Sequence, residues 1–128
     1  MIKLTTNNIV AVYVRHFILY SHLCPQAYEE FVVGNTVVSK TAEGKVSVHV
    51  NDKEILIIET AVSGMHEIIM PINAIAVKRL NAIQEFMGWD FNILWENRKA
   101  YCKDKHGKKV LLDNHSYSVH ELSGIGYS

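Results

Sequence analysis

The sequence predicts a mainly β protein, and two observations carry that expectation. The dominant hydrophobic period is two: Val46, Val48 and Val50 alternate with Ser47 and His49, and Trp89, Phe91, Ile93 and Trp95 alternate with Asp90, Asn92 and Leu94. A strand with one buried face reads this way, because successive side chains point to opposite sides. Turn signals also separate the apolar runs at short intervals, at Gly34-Asn35, Ala42-Glu43-Gly44, Asn51-Asp52 and His106-Gly107. Short strands spaced so closely suggest a barrel or a sandwich.

Taken in order, the expected strands are 9–14, 31–38, 46–50, 54–59, 89–95, 98–102, 109–112 and 117–121. One segment breaks the pattern. In AIAVKRLNAIQEFMG, Ala76, Leu80, Ile83 and Met87 fall on one helical face and Gly88 follows as a stop, which predicts one short α-helix near residues 76–87. Ile83, Met87, Trp89 and Phe91 are expected in the core, since the helical and strand periods meet at Gly88. The chain of 128 residues, 48% hydrophobic, is long enough for one core. It is expected to form a single domain over 1–128, with a core of about 9–122 and short tails.

Charge and cysteine usage exclude more than they assign. Thirteen Lys and Arg balance thirteen Asp and Glu, so whole-chain charge gives no indication of a nucleic-acid or anionic-membrane partner. Two cysteines cannot make a disulfide framework, and MIKLTTNNIV lacks the basic start and apolar centre of a signal peptide. No apolar run reaches the roughly 20 residues that span a bilayer. The expectation is an intracellular, cytoplasmic protein with free thiols and no membrane partner.

Common enzyme signatures are absent: there is no phosphate-binding glycine loop, Gly-x-Ser-x-Gly elbow, His-Glu-x-x-His or Cys-x-x-Cys. His22, Cys24, Cys102 and His106 could supply four ligands to a tetrahedral zinc ion, although the pairs lie far apart and single cysteines are commonly small core residues. Trp89 and Trp95 could stack on a base or a sugar, but period-two aromatics are more often core. The basic residues Arg98, Lys99 and those of 103–109 read as a solvated hairpin diluted by Asp104 and Asp113.

Several segments, in order, resemble the β-barrel protease region of copia-type retrotransposon Pol polyproteins. The run FVVGNTVVSKTAEGKVSVHV is followed by KEILIIETAVSGMHEIIMPINAIAV, the helix, MGWDFNILW, a turn and SYSVHEL. Val62-Ser63-Gly64-Met65 stands at the family's V-P-G-L, Ile68 to Ile72 at its N-L-L-S-V, Asp104-Lys105-His106-Gly107 at its d-x-x-G turn, and Tyr117-Ser118-Val119 at its closing element. The resemblance covers about 13–122 and implies a retropepsin-like aspartic protease β-barrel that works as a homodimer. Family members open with W-x-L-D-S-G-A-S-x-H. Laid on YVRHFILYSHLC, that motif puts His22 under the family histidine and His16 where the catalytic aspartate belongs. Phe17, Ile18 and Leu19 replace the serine, glycine and alanine.

An aspartic protease needs two carboxylates sharing one proton, and an imidazole cannot reproduce that pair. The resemblance therefore implies a degenerate site at His16, Phe17, Ile18 and Leu19 and a catalytically inactive pseudoenzyme without a cofactor. Its remaining role would be binding or assembly, as a homodimer or with a protein or peptide partner, or none if the remnant was never recruited. Two alternatives stand beside it. One is a zinc-binding or residual hydrolase domain. The other is a copper amine oxidase N-terminal-like stalk domain, which VNDKEI, IIMPINAIA and EFMGWDFNILW resemble.

Overall fold

In the computed structural model, which describes residues 5–23, 29–41, 44–59, 65–70 and 73–127, an N-terminal helix precedes the first strand. The order is α1 (Thr6–Leu23), β1 (Glu29–Val33), β2 (Thr36–Lys40), β3 (Lys45–Val50), β4 (Lys53–Glu59), β5 (Met65–Ile69) and α2 (Ala74–Met87). Then follow β6 (Ile93–Glu96), β7 (Lys99–Lys103), β8 (Lys109–Leu111), β9 (Ser116–Ser118) and α3 (Val119–Gly126).

Helix α1 corrects the expected strand at 9–14. Its β-branched residues favour a strand locally, but Val10, Ala11, Val14 and Phe17 follow the helical period and all are buried. Thr5 opens the helix, its hydroxyl accepting the Asn8 N–H at 3.2 Å. Tertiary burial of one stripe outweighs propensity here, and Tyr13 stacks on Phe31 of β1 with ring centroids 3.6 Å apart. Arg79 of α2 donates to Asn7, and the Arg15 guanidinium lies 5.4 Å from the Phe86 ring centre. Asn7 precedes Arg15 in α1 as Arg79 precedes Phe86 in α2, so the two helices run parallel where they touch.

The larger sheet is antiparallel, in the order β1-β2-β3-β4-β5-β9. Two-residue turns fix its register: Gly34 (φ 57°) begins the β1–β2 turn, and Asn51 and Asp52 (φ 51° and 63°) form the β3–β4 turn in the left-handed conformation that matches strand twist. Val38, Val48, Leu56 and Ile68 lie in one cross-strand row, all fully buried. Helix α1 packs along β1, β2 and β3. The expected alternation at Val46, Val48 and Val50 is present, and Ser47 is buried beside them.

The smaller sheet has the order β6-β7-β8. Asn81 of α2 attaches it: the side-chain amide donates to the Ile93 carbonyl at 2.8 Å and accepts the Ile93 N–H at 2.9 Å. A side chain thus acts as a strand neighbour for β6. The expected strand at 89–95 is corrected to Ile93–Glu96, because the chain first completes a helix stop. Gly88 (φ 74°) and Trp89 return their N–H groups to the carbonyls of Glu85 and Gln84, closing α2 with a Schellman motif. The expected strand at 117–121 turns helical after Ser118, where Ser118 and Glu121 form a reciprocal capping box.

The fold is mainly β, with two antiparallel sheets and three helices among the described residues. Neither sheet closes on itself, so the expected barrel is not formed by these strands. The predicted helix at 76–87 is present as α2, with Asn73 capping it through the Ala76 N–H at 2.8 Å. Ile83 and Phe91 are buried as expected, whereas Met87 and Trp89 are half-buried.

Candidate ligand-binding cleft

The Schellman turn that ends α2 sends Trp89, Asp90, Phe91 and Asn92 across the edge of the smaller sheet. Between this segment, Gln84 of α2, Leu94 and Lys103 of the sheet and Gly126 of α3 lies a cleft of about 460 Å³. Cavities of a few hundred Å³ hold small-molecule ligands.

The cleft mixes a flat apolar wall with polar groups of several kinds. Trp89 is stacked against Phe91 at 6.3 Å between ring centres and lies 5.4 Å from the His66 ring. The indole is therefore fixed by neighbours on two elements, β5 and the loop after α2. Among the described residues, the His66 Nδ1 atom is buried without a hydrogen-bond partner. Gln84 and Asn92 bring carboxamides, which both donate and accept, and Lys103 brings an exposed ammonium. Asp90 accepts a hydrogen bond from the Tyr127 hydroxyl, which ties the end of α3 to the rim. That bond to Asp90 holds the Tyr127 phenol above its ordinary pKa, since ionising it would place two negative charges together.

A smaller groove of about 230 Å³ lies toward the β6–β7 turn end of the same sheet, among Met70, Trp95, Arg98, Lys99, Leu111 and Leu112. Its walls are mostly aliphatic. Elsewhere, Arg79 joins three elements through neutral oxygens: Nε donates to Thr36 at 3.1 Å, Nη1 to Asn7 and Nη2 more weakly to Asn35 at 3.5 Å. Burial lowers the pKa of that guanidinium. Lys40 is fully buried on β2 and donates to the Thr41 carbonyl at 3.5 Å.

The sites expected from sequence fare differently. His16, Phe17, Ile18 and Leu19 lie within α1, so no strand-borne catalytic turn exists there; Phe17 is buried, and His16 and Leu19 are exposed. A continuous helix satisfies its backbone internally and leaves no turn for a second chain to meet. For the zinc set, His22 falls in the last turn of α1 and Cys24 lies outside the described residues. Cys102 is buried on β7, where burial pushes its thiol up to about 11, away from the thiolate that binds metal. His106 stands exposed in the β7–β8 turn. Among the described residues, no three His, Cys, Asp or Glu side chains gather as metal ligands. No described helix is long and apolar enough to cross a membrane.

Trp89, which the sequence offered as a stacking residue, does line the cleft, whereas Trp95 belongs to the smaller groove. Gln84, Asn92 and Lys103 were not legible as site residues, since they converge only through the Schellman turn and the Asn81 attachment. Comparison with protein families, curated proteins and solved structures finds no match to this chain.

Proposed function

We propose that the protein is a non-enzymatic binding module whose ligand sits in the Trp89 cleft and combines a flat ring with an anionic group. The observation that carries this reading is the convergence on one cleft of the fixed Trp89 and Phe91 rings, two carboxamides and the Lys103 ammonium. The rings favour a planar apolar surface, the carboxamides read hydrogen-bonding edges, and the ammonium attracts negative charge. The carboxylate lining the cleft, that of Asp90, already accepts the Tyr127 hydroxyl, which suits holding better than proton transfer.

The reading keeps the binding role that the resemblance to retroelement proteases implied and gives it a location. A retroelement origin and a homodimer rest on that resemblance, and the helix at His16 removes the turn through which such a dimer would form.

Calorimetric titration with adenosine monophosphate, adenosine and inorganic phosphate tests the reading. Adenosine monophosphate should bind at millimolar affinity or tighter, with the ring alone and the anion alone weaker. Lys103→Gln should bring adenosine monophosphate down to the affinity of adenosine. Absence of saturable binding by all three probes, or an unchanged Lys103→Gln titration, would overturn it.

A further inference from the structure

Whole-chain neutrality conceals a strong segregation of charge. Six of the thirteen Lys and Arg but three of the thirteen Asp and Glu fall within 93–113, the span of β6, β7 and β8, leaving seven against ten elsewhere. The smaller sheet carries a net charge of about +3 and the rest of the molecule about −3, by side-chain count at neutral pH. Lys109 pairs with Glu96. Arg98, Lys99, Lys103, Lys105 and Lys108 have no ion pair among the described residues, and all are exposed. Asp104 is engaged by its own turn, accepting the His106 and Lys108 N–H groups at 2.9 Å each. Those bonds, the Lys108 one foremost, hold its carboxyl below the ordinary range.

Register places these charges on one face. Leu94, Tyr101 and Leu111 form a cross-strand row, Lys99 and Lys103 flank Tyr101 two residues either way, and Lys109 stands opposite Lys103. Alternation gives all of them the same face. Their exposure agrees: Leu111 is 40% exposed and Leu94 and Tyr101 are half-buried, whereas Ile93, Ala100 and Cys102, on the other face, are buried. Glu96, opposite Lys99 on this face, neutralises Lys109, which leaves Lys99 and Lys103 as the unpaired cations beside Tyr101. Leu94 and Lys103 also line the Trp89 cleft, which makes cleft and face one continuous surface.

We propose that this surface binds single-stranded nucleic acid, with one base in the Trp89 cleft and the following sugar-phosphates tracking across Tyr101 between the lysines. The inference rests on the ring-and-anion reading of the cleft and extends it from a single ligand to a chain. A cationic track interleaved with aromatic platforms is the chemistry that such strands require. Lys99 and Lys103 stand about 13 Å apart along β7, so they meet different phosphates.

The test is fluorescence anisotropy with labelled oligonucleotides of dA and dT, one to eight nucleotides long, beside heparin and anionic phosphatidylserine vesicles. Affinity should rise with length up to about four to eight nucleotides and fall with salt, with a log–log slope of about −2 to −3 for three to four phosphate contacts. Lys99→Gln and Lys103→Gln should each reduce the magnitude of that slope by about 0.7. Trp89→Phe and Tyr101→Leu, which keep apolar volume, should each weaken binding about tenfold without altering the slope. Lys53→Gln, an exposed charge on the other sheet, should change nothing.

Mononucleotide binding with no gain for longer strands would overturn the nucleic-acid inference while leaving the cleft reading intact. Loss of binding to every nucleotide probe would sink both. Heparin or vesicles binding as tightly as the oligonucleotides, with no effect of Trp89→Phe or Tyr101→Leu, would reduce the face to a nonspecific polyanion surface and also overturn the inference.

Discussion

Asn81 holds the smaller sheet to α2 through two hydrogen bonds to Ile93, and its removal should be costly. Ile93 is 2% exposed, so truncation to Ala strands a buried N–H and a buried C=O together. Each unsatisfied buried group costs about 1–3 kcal/mol. Asn81 itself is only half-buried, so water can reach part of the vacated space. The expected loss is therefore about 2–4 kcal/mol, toward the lower half of the doubled range. Urea unfolding followed by tryptophan fluorescence measures it, and both tryptophans report because they flank the attachment point.

Asn81→Asp separates hydrogen bonding from packing. The carboxylate can still accept the Ile93 N–H but opposes the Ile93 carbonyl, so its folded pKa should rise above the ordinary value of about 3.9. A group raised in the folded state is penalised at high pH and relieved as pH falls through that raised value. The gap between Asn81→Asp and wild type should narrow on acidification, whereas the gap for Asn81→Ala should not. A loss below about 1 kcal/mol for Asn81→Ala, or no narrowing for Asn81→Asp, would refute the claim that this amide anchors the sheet.

Two further outcomes follow from burial. Phe91→Ala, at a side chain 8% exposed beneath Trp89, should cost about 3–5 kcal/mol in the same assay; a loss near 1 kcal/mol would show that the cleft wall is not part of the core. In a Cys24→Ser background, Cys102 should resist thiol reagents at pH 8 until urea is added. Because its folded thiol is raised to about 11 from 9.0, the unfolded chain loses that proton first, and stability should decline as pH rises from 9.0 toward 11. A Cys102→Ala variant should lack that component of the decline, and identical pH profiles for the two would contradict the assignment.

Legibility from sequence followed the strength of local signals. The α2 helix was readable because its period, Asn73 cap position and Gly88 stop agree with one another, and the β3–β4 hairpin because alternation and turn residues coincide, whereas the expected strand at 31–38 is two strands, β1 and β2, folded back at Gly34-Asn35. α1 was misread because Ile9, Val10, Val12 and Val14 favour strands, while its helical evidence was one buried stripe and a Thr5 cap. α3 was misread although Ser118-Val119-His120-Glu121 is a capping-box spacing, since Tyr117 and Val119 also alternate like a strand. The misreading of α1 also set the degenerate site expected at His16 to Leu19 on a strand, where the chain is helical. The basic residues of 98–109 were noticed but read as a solvated hairpin diluted by Asp104 and Asp113; only the register of β6 to β8 gathers Lys99, Lys103 and Lys109 around Tyr101.

The central claim is that the Trp89 cleft is a binding site, and amide-detected NMR of uniformly 15N-labelled protein titrated with adenosine monophosphate tests it most directly. The Trp89 indole N–H, the Gln84 and Asn92 side-chain amides and the Lys103 backbone amide should shift together and saturate on one isotherm. Signals around Arg79 of α2 and Thr36 of the larger sheet should stay in place. Saturating shifts that cluster at Arg79, or the absence of any saturating shift at Trp89, Gln84, Asn92 and Lys103, would contradict it.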